Sequence, residues 1–312
     1  MESSGRSALH TRRPAVYFVV NYYIMASTKK ALIIGCNYPT DPNNQLYGCI
    51  NDASNIANTL VDAFDYDLNN IVVLRDDYNT NVPTRNNILY NLNKLVQESS
   101  KLTEIWFFYS GHGSKIRDKD NDETDGLDEV IVPTDFLSAG FITDDEIFNA
   151  LKNVSPKCRV ILLFDSCHSG SICDLQYTYR INSKSSVSTN KILSNQNIIC
   201  FSGCRDPETS AETYSDDEQR AVGAFTTFFL YCLRLNHFNV DIFKLFSDIC
   251  GAIASSGYSQ NPQLSCSSSK LSFAFTRSTY REMSTLSNPS PRLLNTPVSS
   301  TKGIKKMVFT FR

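Results

Sequence analysis

The sequence is short of several things, and each shortage removes a class of function. It has no excess of positive charge: 30 Lys and Arg stand against 32 Asp and Glu, a formal net charge of −2. Nucleic-acid binding draws on clustered cations that release counterions from phosphate, so no nucleic-acid partner is expected. No apolar run approaches the roughly 20 residues a membrane-spanning helix needs, and no membrane role is expected either. Histidine is scarce, with 4 in the chain (His10, His112, His168 and His237), and no Cys/His cluster has zinc-ligand spacing. None of the 10 cysteines makes a C-x-x-C pair, and most lie inside apolar runs. A disulfide scaffold would be smaller and denser in cysteine. The expectation is therefore a cytoplasmic protein whose thiols are mostly reduced and buried.

What is present is an ordinary globular composition: 312 residues, 41% hydrophobic and 20% charged, enough for one large domain or two small ones. Near the N-terminus Arg6, Arg12 and Arg13 precede an apolar stretch, 15–26, that loosely resembles a secretory signal. Pro14 and Asn21 interrupt it, Lys29 and Lys30 follow it, and Met25 offers an alternative start. Residues 1–28 are thus expected to be an extension, regulatory or removed. Beyond it, short β-rich runs (31–34, 71–74, 105–109, 130–132, 160–164) alternate with segments of helical period (50–64, from Pro83 and Thr84 to Val96, 145–153). Residues 180–195 are rich in Ser, Asn and Lys and read as a linker. A strand at 198–201, helices at 224–235 and 240–255 and a strand at 271–275 then predict a smaller second half of the same sheet. From Arg277 onward Ser, Thr, Pro and Arg dominate, and a disordered tail is expected. This βαβα order predicts an α/β three-layer sandwich, with helices on both faces of a mostly parallel central sheet.

In such sheets ligands bind beyond the carboxyl ends of the strands. Two apolar runs end alike there. Residues 105–109 lead into Ser110-Gly111-His112-Gly113, and 160–164 into Asp165-Ser166-Cys167-His168-Ser169-Gly170. His112 and Cys167 each lie three residues past a buried strand, so neighbouring parallel strands would present both at one edge. An imidazole beside a thiol lowers the thiol pKa and supplies a proton to a leaving group, the equipment for acyl transfer by a cysteine nucleophile. Spacing alone leaves open a plain Gly-His-Gly turn beside a buried thiol. It also leaves His168 as a rival base, though one that adjoins Cys167 in sequence and would point elsewhere.

Taken together, these motifs strongly resemble the metacaspases, specifically the type I form with a short linker. The resemblance runs over roughly 29–276 and includes Lys30-Ala-Leu-Ile-Ile-Gly35, Gly48-Cys-Ile-Asn-Asp52-Ala53, Val82-Pro-Thr-Arg85 and Asp174-Leu-Gln-Tyr-Thr-Tyr179. It implies a caspase-like fold with a large-subunit-like region at 29–179 and a small-subunit-like region at 196–276. It also implies a Cys167–His112 dyad, with the backbone N–H groups of Cys167 and Gly113 as oxyanion donors. The nucleophile segment departs from the caspase signature Q-A-C-[RQG]-G, so cleavage after Asp is not implied. Instead the resemblance makes Cys49, Asp52, Ser110 and Asp165 the lining of a substrate pocket, whose two carboxylates would bind an Arg or Lys side chain. A plainer role for Asp52 is helix capping.

Seven acids crowd the twelve residues from Asp118 to Glu129. They are not an EF-hand, because Glu123 stands where the sharp turn needs Gly and no helix flanks the loop. The resemblance implies a different calcium site, made by Asp128, Asp144, Asp145 and Asp174. Thr143-x-x-Glu146 is also a capping box, so Asp144 and Asp145 would suit a first helical turn regardless. The expected function is that of a monomeric, calcium-activated cysteine endopeptidase cutting protein or peptide substrates after Arg or Lys. It would process itself at Lys29 or Lys30, or at Arg180, Lys184 or Lys191. The competing expectation is a non-proteolytic, calcium-responsive interaction or aggregate-handling protein. Legumain-like and clostripain-like peptidases, which prefer Asn and Arg, are nearer alternatives.

Overall fold

Uninterrupted apolar runs cannot keep either side in water, and the runs at 105–109 and 160–164 lie in adjacent strands at the centre of the main sheet. In a computed structural model, residues 28–77, 80–117, 126–167, 172–179, 186–187, 189, 191–203, 212–215, 220–258, 260–278 and 304–306 are described. Most of residues 1–28, the acids from Asp118 to Asp125, His168, Arg180, Lys184 and most of the tail fall outside them.

The chain runs β1 (Lys29–Gly35), α1 (Cys49–Phe64), β2 (Ile71–Arg75), α2 (Arg85–Glu98), β3 (Glu104–Ser110), β4 (Gly113–Arg117), β5 (Leu127–Ile131), α3 (Phe136–Ala139), β6 (Ile142–Thr143), α4 (Asp144–Leu151) and β7 (Arg159–Asp165). It continues with β8 (Tyr177–Tyr179), β9 (Ser186–Val187), β10 (Ile198–Ser202), β11 (Glu212–Ser215), β12 (Arg220–Gly223), α5 (Ala224–Leu235), β13 (Val240–Asp241), α6 (Ile242–Ser255), β14 (Gln263–Cys266), β15 (Ala274–Phe275) and β16 (Ile304–Lys306). The central sheet has 8 strands in the order β2-β1-β3-β7-β10-β14-β8-β9. Its first five are parallel; β14, β8 and β9 each pair antiparallel with the strand before them in that order.

Side chains alternate across this sheet and sort the core in two. Ala31, Ile33, Trp106, Phe108, Ile161, Leu163 and Phe201 pack under α1, α5 and α6. Leu32, Ile34, Phe107, Tyr109, Leu162 and Phe164 pack under α2 and α4. Both layers are built of buried apolar side chains on either face of the sheet, so the expected three-layer α/β architecture is what the chain forms. Each large apolar side chain buried is worth about 1.5–3 kcal/mol, and a one-residue slip of β3 or β7 would move every one of them to the wrong face. The register that positions the site is therefore strongly held.

Three expectations about elements change. The helix expected at 240–255 starts two residues later: Asp241 caps α6, its Oδ1 accepting from the N–H groups of Phe243 and Lys244. Residues 271–275 do not extend the central sheet; β15 pairs with β13 beside α6. The sheet is continued instead by β14, a short strand of alternating polarity against β10. Val130 and Ile131 lie in β5, within a separate antiparallel sheet β4-β5-β6, rather than in the central one. Two segments read as irregular contribute short strands, β9 against β8 and β16 against β11. Among the described residues no helix is long and apolar enough to cross a membrane.

Candidate active site

The carboxyl ends of β1, β3 and β7 lie level, with Gly35 opposite Ser110 and Ser110 opposite Asp165. Because side chains alternate, Ser110 and Asp165 point to the same face as Trp106, Phe108, Ile161 and Leu163, toward α1 and α5. Asp52 reaches the same place from α1. The hydroxyl of Ser110 donates to Asp52 Oδ2 at 3.0 Å, and the Gly223 N–H donates to both Asp52 oxygens at 3.0 and 2.9 Å. Asp165 Oδ2 accepts from the N–H of Thr226 at 2.8 Å, in the first turn of α5. A helix N-terminus presents unsatisfied N–H groups and a positive dipole end, which suits a buried carboxylate. Asp52 does not cap its own helix: Gly48 holds the N-cap position, and Asp52 spends its oxygens across the molecule instead. Cys49 is the first residue of α1 and is buried, its N–H donating to Asn37 Oδ1 at 3.0 Å.

Gly223 is where the two carboxylates converge. A Cβ there would sit 2.2 Å from Asp165 Oδ2 and 2.6 Å from Asp52 Oδ2. No L side chain tolerates such contacts, so glycine is what lets β12 close onto both acids.

His112 is held on every side by polar contacts. Its N–H donates to the Tyr38 hydroxyl at 3.0 Å, and its C=O accepts from the Tyr109 hydroxyl at 2.7 Å. The Tyr38 hydroxyl itself donates to Val132 O at 2.6 Å. Burial pushes both phenols well above their usual range, so they remain neutral donors. The Tyr38 ring lies 4.9 Å from the imidazole. Nε2 of His112 meets the Asn44 carbonyl at 2.7 Å. A carbonyl can only accept, so Nε2 carries the proton and Nδ1 keeps the lone pair. Burial lowers the His112 pKa below its ordinary value, partly opposed by the bond to Asn44 and the charge of Asp41.

Cys167 lies two residues past the end of β7. Eight of the nine described cysteines are buried and Cys167 alone is half-exposed. Burial pushes Cys158 and Cys232 up to about 12 and raises Cys36, Cys173 and Cys266 as well, so these thiols are inert at neutral pH. Cys167 meets the His112 turn at Gly113: a Cβ on Gly113 would lie 1.9 Å from the Cys167 carbonyl oxygen and 3.3 Å from Ser166 Cβ. Gly113 also pairs with Ile131, while the Val132 N–H bonds to His112 O at 3.2 Å. In an antiparallel ladder that makes Gly113 and Ile131 a non-bonded pair, with the Gly113 N–H turned away from β5.

On the opposite face of the sheet lies a cluster of acids. Carboxylate oxygens of Asp128, Asp144 and Asp145 all come within 4.8 Å of one another. Asp144 accepts from the N–H groups of Glu129 and Asp145, both at 2.9 Å. The capping box forms as well, with Thr143 Oγ1 accepting from Glu146 N–H and Glu146 Oε2 from Thr143 N–H, both at 3.2 Å. Burial, and then the charge of Asp174, push Asp144 up to about 9. Asp174 is not among the three within 4.8 Å. It is joined to them through Lys191, whose ammonium donates to Asp145 Oδ1 at 3.0 Å and to Asp174 Oδ2 at 2.7 Å. A cleft of about 460 Å³ reaches the cluster beside Asp128, Thr143 and Asp145. Glu129, the last acid of the crowded run, pairs with Lys115 at 3.0 Å instead.

The residues singled out for the dyad, the pocket and the calcium site are thus placed in two groups. Cys49, Asp52, Ser110, His112, Gly113, Asp165 and Cys167 gather at the carboxyl end of the sheet, and Asp128, Asp144, Asp145 and Asp174 gather near α4. Not foreseen were Tyr38, Asn44, Gly223, Thr226 and the placement of Lys191 among the acids. Asn44 acts through its carbonyl and Thr226 through its N–H, groups every residue has, so no side-chain signal could mark them. Gly223 did carry a signal, a glycine directly before an apolar helical run.

Residues 29–176 match the family model described as the metacaspase, peptidase C14 domain. Metacaspase-1 of Scheffersomyces stipitis is 33% identical over 300 residues, spanning 80% of this chain and 73% of that protein. Metacaspase-1A of Aspergillus oryzae is 35% identical over 299 residues, spanning 80% of this chain and 70% of that protein. A solved protein structure from Geobacter sulfurreducens shares the fold with a TM-score of 0.50 at 21% identity, covering 79% of this chain and 93% of that one. Identity at this level over most of both chains, with the family model seated on the region that carries both glycine-flanked turns, makes the chain a member of the metacaspase family of cysteine-type endopeptidases.

Proposed function

We propose that this peptidase cuts after Arg or Lys, with Cys167 as nucleophile and His112 as its acid–base partner, and that calcium held by Asp128, Asp144, Asp145 and Asp174 activates it. The observation that carries the reading is the junction of Gly113 with Cys167, beside an imidazole whose Nε2 is committed to the Asn44 carbonyl. That bond leaves Nδ1 to take a proton, the role a third group plays in any nucleophile–base–orienter set.

The thiol proton of Cys167 passes to His112 Nδ1, and the sulfur attacks the peptide carbonyl carbon. The oxyanion forms against backbone N–H groups, with Gly113 and Cys167 as donors. Collapse breaks the C–N bond, His112 returns its proton to the leaving amine, and the acyl group remains as a thioester. Water, deprotonated by His112, attacks that thioester and frees the acid and the thiol.

Specificity for a basic side chain is supported by Asp52 and Asp165, two buried acids steered together beside the nucleophile. Both accept hydrogen bonds here, from the Gly223 N–H and Ser110 hydroxyl and from the Thr226 N–H. An incoming guanidinium or ammonium would add charge-assisted hydrogen bonds to the same pair of carboxylates. The acids near α4 fit calcium by the chemistry of their donor set, carboxylate oxygens without nitrogen or sulfur. So many carboxylates in one buried place favour a divalent cation, which when bound would neutralise them and tie Asp174, in the loop behind Cys167, to α4.

The test is hydrolysis of fluorogenic peptides ending in Arg, Lys, Asp or Asn, each with calcium or with a chelator. Arg and Lys peptides are expected to be cut, in calcium only. Preference for Asp would overturn the reading of Asp52 and Asp165, and cleavage indifferent to chelator would remove the calcium step. No cleavage by folded protein would favour a non-proteolytic role.

The acid limb of the rate profile provides a second check. Because burial lowers the His112 pKa, the neutral base persists below pH 6.5, the ordinary value. As pH falls through the lowered value, protonation removes the base. The kcat/KM profile is therefore expected to fall with a midpoint below 6.5; a midpoint above 7 would contradict a buried neutral His112.

A further inference from the structure

Lys191 is not a surface lysine. Its side chain is 20% exposed, with its ammonium between Asp145 and Asp174 and 5.5 Å from the centre of the Phe148 ring. Two carboxylates and an aromatic face are the surroundings of a selected cation. Both acids belong to the set assigned to calcium above, so the same carboxylates are claimed twice. Calcium needs six to eight oxygens at about 2.3–2.6 Å. An ammonium bonded to two of them at 3.0 and 2.7 Å occupies directions the ion requires. Two cations a few ångströms apart in a buried site also repel strongly. The two occupants exclude one another.

We propose that Lys191 is a tethered counter-ion of the acidic cluster, which bridges Asp145 to Asp174 in the absence of calcium and is expelled when calcium enters. This inference rests on the calcium reading above. Lys191 lies between β9 and β10, in the segment expected to link the two halves of the chain. The residues just after it are anchored. Leu193 is buried, and Asn195 donates to Ser155 O at 2.8 Å and Cys158 O at 2.7 Å. Expulsion therefore acts on the chain before Leu193 and does not unseat β10. While its ammonium is among the acids, Lys191 cannot enter a pocket for basic side chains. Once expelled, it presents such a side chain on an exposed linker. Filling of the calcium site and availability of the linker lysine to cleavage become one event.

The experiment is calcium titration by calorimetry of the full chain carrying Cys167→Ala, which cannot cut itself, alone and combined with Lys191→Met or Lys191→Arg. Removing a competitor that occupies the site most of the time raises apparent affinity by the reciprocal of the competent fraction. Lys191→Met is expected to bind calcium about tenfold more tightly, and Lys191→Arg about as the parent does. Equal affinity in all three would overturn the counter-ion role and leave the calcium reading standing. Weaker binding by Lys191→Met would make Lys191 a brace for the site and also overturn the role. Absence of calcium binding in every form would remove both readings. Limited trypsin digestion of the Cys167→Ala chain needs no change at Lys191. Calcium is expected to increase the cut after Lys191 relative to other cuts, and an unchanged ratio would count against expulsion.

Discussion

Replacing Cys167 by Ala is expected to lower kcat/KM by about 10⁴–10⁶-fold, the scale on which nucleophile and base act as one unit. The fold should not notice. Cys167 lies half-exposed in a turn after β7, and substitutions at such positions change stability by about 0.5 kcal/mol or less. A buried cysteine predicts the reverse pattern. Cys266→Ala empties space between β14 and the helices of the α1/α5/α6 layer, which should cost about 1 kcal/mol or more of stability while leaving chemistry intact. Measuring kcat/KM and Tm for both variants separates the roles. A Cys167→Ala protein that still hydrolyses peptides would end the nucleophile assignment. So would rapid iodoacetamide labelling of the native protein at a cysteine other than Cys167 with matching loss of activity.

Changing the charge where Asp52 and Asp165 converge is expected to have the next largest effect. Asp165→Asn keeps an acceptor for the Thr226 N–H and nearly the same shape, so the first turn of α5 should hold. What it removes is the anion facing a cationic substrate side chain. Removing one partner of a buried charged pair costs about 2–5 kcal/mol, so kcat/KM for Arg and Lys peptides should drop by about 30- to 4,000-fold. Peptides with a neutral residue at that position should lose far less. Gly223→Ala is expected to act alike without replacing either acid. Its Cβ would fall within 2.2 Å of Asp165 and 2.6 Å of Asp52, and both carboxylates would have to move. Measuring kcat/KM on matched Arg and norleucine peptides decides the matter. If Asp52→Asn and Asp165→Asn both keep the wild-type Arg preference while folded, the acids serve only to anchor α5.

Much of this molecule was open to reading because its strongest signals are local. The runs around Trp106 and Leu162 are apolar without interruption, which only a doubly covered strand tolerates. The 3.6-residue spacing of Ile56, Leu60 and their neighbours in α1 allowed only a helix with one buried face. The capping box at Thr143 and Glu146 needed four residues and formed as read. The elements that escaped were weaker by the same measure. Gln263-Leu264-Ser265-Cys266 looks like part of a serine-rich loop, and only pairing with β10 makes it a strand. Phe273 and Phe275 alternate as a sheet strand would, yet β15 pairs with β13 beside α6.

By itself the sequence determined which chemical groups stand at the carboxyl ends of β3 and β7, because hydrophobic run length and glycine placement are properties of neighbouring residues. Only the tertiary structure decided which nitrogen of His112 holds its proton, since that depends on a backbone carbonyl 68 residues away. Only it decided that Asp52 and Asp165 meet at Gly223, and that Lys191 lies between Asp145 and Asp174. Peptide groups carry no sequence signature, and contacts between distant segments are chosen by how the packed layers close. Such facts belong to the fold as a whole.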